Sequence, residues 1–302
     1  MNQEIEILQK KYPWLKMNTT VEEYVEPIYY NKLLKDYTFL GKTDLQLFEE
    51  YLKTMSFRDK LNFVELGSGS GRATSIFLKS FNDKKFNLNL VDLSDRMLRF
   101  VQNNFKEKKN VTLIKSDIIR FLEKTNEKYD LVFSLWSFSH SVHQILTQKG
   151  KDGWKEYIQK TIRKFIRENM KKGSEFFLIH FDSLSDEQKI LMKQWRKVFP
   201  IFKDLQSQSP SKLLIDEIFQ SLEEEGNINL DISHYVGEEI IYNSIDEALE
   251  IFLNFHMESY FNESPLLPQI LTELKEYFKK FDVGGSIRIK PGCFIYKIQK
   301  NE

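Results

Sequence analysis

The chain of 302 residues has a single cysteine, Cys293. One thiol closes no internal disulfide and builds no four-thiolate zinc site. That is the cysteine usage of a reducing compartment. An excess of charge of one sign is also lacking, because 44 Lys and Arg balance 44 Asp and Glu. At whole-chain level there is no large basic footprint for duplex nucleic acid. No apolar run reaches about 18 residues, the length a membrane-spanning helix needs. The opening Met1-Asn2-Gln3-Glu4-Ile5-Glu6 carries acids and no apolar stretch of a secretory signal. Internal repeats and low-complexity segments are absent. Together these absences lead to the expectation of a soluble, cytoplasmic protein.

What is present is globular. Apolar residues make up 41% and charged residues 29%, so enough surface can be buried to offset the ordering entropy that keeps polar chains disordered. The length allows two domains of about 150 residues or one enlarged α/β domain. Residues 1–55 read as a helical cap, with apolar positions at helical spacing such as Leu33, Leu34, Tyr37, Leu45, Phe48 and Leu52. From Leu61 the texture changes to short apolar runs alternating with amphipathic stretches. The strands are expected at Asn62–Leu66, Phe86–Asp92, Val111–Lys115, Tyr129–Leu135 and Glu175–Phe181, with helices between them. This alternation implies a mostly parallel, doubly wound sheet covered on both faces. Further helices are expected at Asp186–Val198, at Ser211–Glu225 with Ser211 as cap, and at Asp246–Tyr260 and Leu267–Phe281. Ile228–Ile241 reads as a strand region and Gly292–Gln299 as a final strand. Cys293, on that last strand, reads as a buried structural thiol.

The informative segment is Phe63-Val64-Glu65-Leu66-Gly67-Ser68-Gly69-Ser70-Gly71-Arg72. An apolar strand ends near an acid, and three glycines at alternate positions lead into a helix. Glycine lets the backbone turn tightly and lets a ligand approach without a Cβ in the way. In open parallel sheets the ligand lies beyond the carboxyl ends of the strands. A dinucleotide fingerprint wants G-x-G-x-x-G. Here Arg72 stands where the third glycine would be, so a nicotinamide dehydrogenase is remote. Asp92 ends the second expected strand, where an acid can accept from ribose hydroxyls, and Ser116-Asp117-Ile118 follows the third.

The spacing of Glu65 and the glycines resembles motif I of the class I S-adenosylmethionine-dependent methyltransferases. Leu90-Val91-Asp92-Leu93-Ser94, Ser116-Asp117-Ile118 and Asp130–Trp136 are similar to the later landmarks, over about residues 60–182. The resemblance implies a seven-stranded sheet and a cofactor, S-adenosylmethionine, leaving as S-adenosylhomocysteine. It implies that Glu65 holds the methionine amino group, that Gly67, Ser68, Gly69 and Gly71 pass beneath the ligand, and that Asp92 takes the ribose. Asp117 then reaches the adenine, with Ile118 packing on the ring and Leu93, Met97 and Ser134 beside it. It also implies that an N-terminal segment closes over the site with a tyrosine near the carboxylate, for which Tyr30 is the candidate. In this family, helical insertions such as those around 186–226 and 246–281 commonly build the acceptor pocket.

Methyl transfer from a sulfonium is an in-line displacement to which an enzyme contributes mainly proximity and alignment. A base is needed only when the nucleophile must lose a proton. Histidine titrates near neutrality, and His140, His143 and His180 all fall at the expected catalytic rim. Trp136, Phe138, Tyr24, His256 and Tyr260 are the candidates for contacting the acceptor, since aromatic faces stabilise cations. A metal site using a histidine and Asp182 is the minor alternative, and none is assigned. Ser134-Leu135-Trp136-Ser137 lacks the Asn/Asp-Pro-Pro-Tyr/Phe pattern of base-amino methyltransferases. The expected partner is a small-molecule methyl acceptor, at N or O, with neither nucleic acid nor membrane. Two alternatives stand beside it: a protein or RNA methyltransferase, and a non-catalytic cofactor- or partner-binding module. The oligomeric state stays open between a monomer and a homodimer.

Overall fold

The structure is a computed structural model that describes residues 3–16, 20–21, 24–25, 33–55, 61–82, 84–148, 153–202, 204 and 206–301. Its centre is a seven-stranded sheet. The strands are β1 (Leu61–Leu66), β2 (Phe86–Asp92), β3 (Val111–Lys115), β4 (Tyr129–Leu135), β5 (Met170–Phe181), β6 (Ile228–Val236) and β7 (Gly292–Lys300), in the spatial order β6-β7-β5-β4-β1-β2-β3. β7 runs antiparallel to both neighbours, and the other pairs are parallel. The chain order reverses between β1 and β4, which is where such sheets open a crevice for a ligand.

Side chains alternate between the two faces of each strand. Phe63, Leu131, Phe133 and Phe177 enter one core, while Val64, Val132, Phe176 and Leu178 enter the other. Helices α2 (Asp44–Thr54) and α3 (Arg72–Ser80) cover the first face. Thr43 starts α2 with a capping box to Gln46, which satisfies two otherwise orphan donors. Helices α4 (Asp95–Phe105) and α5 (Ile118–Lys124) follow β2 and β3, and α6 (Phe138–Thr147) follows β4. The second face is covered by α5, α6, α7 (Trp154–Asn169) and α9 (Pro210–Glu224), whose Leu214, Ile218 and Phe219 are buried there. Between them in the chain lies α8 (Asp186–Trp195), capped by Ser185. Helices α10 (Ile245–Ile251) and α11 (Leu267–Phe278) and a small antiparallel sheet of Ile240–Tyr242, Ser286–Ile289 and Asp282–Val283 complete the first layer. A short helix α1 (Gln3–Lys11) lies at the amino end and contacts α11.

Several local expectations are corrected. The first 55 residues are not wholly helical, since Thr38–Phe39 and Lys42–Thr43 form a hairpin. β5 begins at Met170, so Lys172 and Gly173 lie in the strand. α9 begins at Pro210 with Ser209 as cap, not Ser211, because proline suits the first helical turn, where its missing N–H costs nothing. The strand region after Ile228 breaks at Gly237, whose Cβ would lie 2.8 Å from Pro291 and 3.0 Å from the Thr38 carbonyl. The segment after Asp246 is no continuous α-helix. A π-helical turn over Phe252–His256 follows α10, and Glu258 and Ser259 then take positive φ values of 51° and 57°. Among the described residues no helix is long and apolar enough to cross a membrane.

Candidate active site

Beyond the carboxyl ends of β1, β2, β4 and β5 lies a cavity of about 750 Å³. Its floor is the glycine turn. The N–H groups of Gly67 and Ser68 donate to the Val91 carbonyl at 2.8 and 3.0 Å, and that of Gly69 donates to Asp92 Oδ2 at 2.7 Å. These donors are spent on the end of β2, so they do not form a phosphate cradle. Gly67 and Gly69 both have positive φ, at 78° and 50°, where a Cβ is disfavoured. A Cβ on Gly67 would overlap the Ser137 side chain, whereas one on Gly69 would meet nothing within 4 Å. Gly67 is thus set by packing, and Gly69 faces open space on the cavity floor.

Two acids sit on this turn. Glu65 is fully buried and accepts from the Thr74 hydroxyl at 2.5 Å. Burial pushes its carboxyl up to about 8, the Thr74 hydrogen bonds oppose the rise, and the nearby Asp92 carboxylate adds to it. Asp92 also accepts from Ser94 N–H at 2.9 Å, and burial raises its carboxyl as well. An acidic pair fits a ligand bearing an ammonium and hydroxyls better than one bearing phosphates. Asp117 caps α5 through Arg120 N–H and accepts from the Ser141 hydroxyl at 2.7 Å. Leu93, Met97, Ser116 and Ile118 complete this end of the cavity.

The opposite wall is aromatic and carries histidines. Trp195 of α8, Phe199, Phe202, Phe255 and Tyr260 line it, and the Trp195 and Tyr260 rings lie 5.2 Å apart. His140 is half-exposed, 3.0 Å from Gln144 Nε2 and 3.9 Å from Glu258 Oε1. His143 packs 4.7 Å from Phe202, and burial first and then His140 lower its imidazole to about 3. His180 is buried, with Nδ1 2.6 Å from the Phe181 carbonyl. A carbonyl only accepts, so Nδ1 carries the hydrogen and Nε2 is left bare. Burial lowers the His180 imidazole to about 4. Both rings are therefore neutral at pH 7.

The cavity wall gathers Glu65, Gly67, Ser68, Gly69, Asp92, Leu93, Met97, Asp117, Ile118, Trp136, His140, His143, His180, His256 and Tyr260. Three expected positions fall elsewhere. Gly71 lies behind the turn, where a Cβ would be 2.9 Å from Phe105. Ser134 is fully buried and donates to the Leu66 carbonyl at 2.6 Å. Phe138 is buried in the core, edge-on to Phe176 at 5.4 Å. Trp136 lines the cavity but spends its indole N–H on Asp44 Oδ2 at 2.8 Å. Tyr30 and the side chain of Tyr24 lie outside the described residues. Asp182 pairs with His234 at 2.8 Å and Gln208 at 2.7 Å, not with His180.

Asp44 escaped sequence reasoning. It is fully buried and holds Arg72 through two hydrogen bonds of 2.9 Å while accepting from Trp136. This ties α2 to the glycine turn and to the end of β4, where Trp136 has a φ of 72°. In the sequence Asp44 reads only as an acid in the first turn of a helix.

Residues 63–149 match a family model described as a methyltransferase domain. No curated protein matches the chain in sequence. Among solved structures, the YcgJ protein of Bacillus subtilis aligns with 84% of this chain and 97% of its own, at 14% identity and a TM-score of 0.51. The cyclopropane synthase MmaA2 of Mycobacterium tuberculosis aligns over 88% of this chain and 89% of its own, at 12% identity and a TM-score of 0.50. At these identities the likeness is one of fold.

Proposed function

We propose that this class I S-adenosylmethionine-dependent methyltransferase acts on a small molecule, at an N or O nucleophile. The observation that carries the reading is the continuity of this cavity. Its acidic, glycine-floored end and its aromatic, histidine-bearing wall are continuous, and its volume of about 750 Å³ lies in the range of small-ligand sites.

The residues present fit the cofactor. Gly69 leaves the floor open, and Glu65 is a buried carboxyl awaiting a cationic partner. Asp92 accepts from the backbone N–H groups of Gly69, Leu93 and Ser94 and, with about four lone-pair sites on its two oxygens, keeps acceptor capacity beyond them. When bound, S-adenosylmethionine supplies an electrophilic methyl group at a sulfonium and leaves as a neutral thioether. The chain's part is to hold the donor and acceptor in line and to exclude water. Glu65 would hold the ammonium, Asp92 the ribose hydroxyls, and Asp117 with Ile118 the adenine. Trp195, Phe199, Phe202 and Tyr260 would pack the acceptor. The neutral histidines on the wall are suited to accept a hydrogen bond from its nucleophile. A protein or RNA acceptor, or binding without catalysis, is what the test must separate from this reading.

The test is transfer of radiolabelled methyl from S-adenosylmethionine to panels of small amines and phenols, with a mixed peptide pool and total RNA as parallel arms. Labelling confined to small molecules is expected. Labelling confined to peptide or RNA would overturn the acceptor assignment. Alanine at His140, His143 or His180 should leave cofactor affinity nearly intact, with turnover slowed in at least one.

A further inference from the structure

One buried acid stands apart from the cofactor end. Glu187, the second residue of α8, is fully buried. A buried carboxylate is costly unless donors surround it. The Tyr37 hydroxyl donates to its Oε1, and the Gln188 amide donates to Oε2 at 2.9 Å. His256 Nε2 lies 3.4 Å from Oε1. Tyr37 comes from ahead of the hairpin and His256 from the π-helical turn, so three distant segments converge on one carboxylate. Single π-helical turns recur at functional sites.

The His256 ring is held between Phe252 at 4.7 Å and Phe255 at 5.1 Å, and both His256 and Gln188 line the cavity. Tyr37 in turn lies 6.2 Å edge-on from Trp136, so the group backs onto the end of β4. An ionised carboxylate only accepts, so the ring nitrogen on its side must carry the hydrogen. Nδ1 is then the lone-pair nitrogen of the neutral ring. At 3.4 Å no hydrogen bond is formed and Nε2 is a buried nitrogen without a partner; catalytic contacts are often long in an unliganded enzyme and tighten in the loaded complex.

We propose that Glu187 is a positioning residue that fixes His256 with Nε2–H toward the carboxylate, so that Nδ1 accepts the proton of the methyl acceptor. This deepens the methyl-transfer reading and rests on it. It restricts the substrate class to acceptors with a hydrogen on the nucleophile: phenols, other alcohols, and primary or secondary amines. The balance is simple. The O–H or N–H bond breaks and its proton goes to Nδ1. The lone pair on that O or N forms the bond to the methyl carbon. The carbon–sulfur pair stays with sulfur. Burial lowers the His256 imidazole and Glu187 raises it, with burial prevailing. Among the described residues Tyr37 and Tyr242 face Glu187, with Asp36 and Glu247 acting on Tyr242 in turn, and burial keeps both tyrosines protonated.

The experiment uses the full chain, with ¹⁵N-labelled histidine and saturating S-adenosylhomocysteine. The His256 ring signals are assigned by their loss in His256→Gln. Nε2 protonated and Nδ1 bare from pH 6 to 8 is the expected result, with mixed tautomers in Glu187→Gln. A proton on Nδ1 in the native chain overturns the proposal, and this holds even if Glu187→Gln fails to fold. With an acceptor from the methylation screen, His256→Gln should lower kcat about a hundredfold or more while KM changes little. Glu187→Gln should move the acidic limb of the kcat profile to lower pH, because the charge that raises the imidazole is gone. Unchanged kcat in His256→Gln sinks the proposal while leaving methyl transfer standing. A fixed tautomer with no methyl transfer to any arm sinks the methyl-transfer reading instead.

Discussion

If Glu65 holds the cofactor's ammonium, cofactor binding is a proton-linked event. Its carboxyl is held up at about 8, chiefly by burial, so at pH 7 about nine in ten are protonated. Pairing with a ligand ammonium requires the carboxylate, and the proton must leave. The ligand's own α-amine lies beside a free carboxylate and keeps its proton throughout this range. Affinity for S-adenosylhomocysteine should therefore follow the ionised fraction of Glu65 and rise about ninefold from pH 6 to 7. Binding at pH 7 should release about 0.9 proton. Calorimetry in buffers of differing ionisation enthalpy reads that number as a slope. Glu65→Gln should remove the slope and flatten the profile below pH 7. In the unliganded protein the sign is opposite. The Glu65 carboxyl binds its proton more tightly folded than unfolded. Its contribution to stability is therefore full below its ordinary value of 4.5 and is lost as pH rises through about 8. A native protein that binds with no proton release and a flat affinity from pH 6 to 7 would refute the assignment of Glu65 to the ammonium.

Two further substitutions probe the floor and the strut. Gly67→Ala should destabilise by about 2 kcal/mol, from positive φ and overlap with Ser137. Adding Ser137→Gly should recover about 1 kcal/mol of this, since it removes the overlap but not the strain; additive urea midpoints would contradict that cause. Asp44→Asn should cost about 3 kcal/mol, because Arg72 is left mostly buried without its carboxylate, and Trp136 fluorescence should report the loosened β4 end. A denaturation midpoint equal to that of the native chain would show that the strut carries no load.

The parts of the site that depend on neighbours in sequence were legible. Glu65, Gly67, Gly69 and Asp92 lie at the ends of adjacent strands, so an apolar run followed by an acid or a turn already places them. The alternation of apolar runs and amphipathic stretches likewise implied the parallel order of β1–β5. What sequence reasoning missed depends on pairing across the chain. Asp44 meets Arg72 and Trp136 over separations of 28 and 92 residues. Glu187 meets Tyr37 over 150. No local pattern announces such partners. Ser134 and Phe138 illustrate a subtler failure. They lie at the end of β4 and the start of α6, beside the cavity, but side-chain direction on a strand or helix decides between core and cavity, and both point inward to the core. The break of the helix after Ile251 into a π-helical turn also left no mark, since Phe252–Phe255 carries no glycine or proline.

The central claim is that the crevice over the glycine turn binds S-adenosylmethionine. The most direct measurement is calorimetric titration of the folded, ligand-free chain with S-adenosylhomocysteine, beside the Gly69→Arg variant. Micromolar binding by the native chain is expected. Gly69→Arg should abolish it, because the added side chain fills the open space above the floor. Absent binding in the native protein, or undiminished binding in a folded Gly69→Arg protein, would contradict the account.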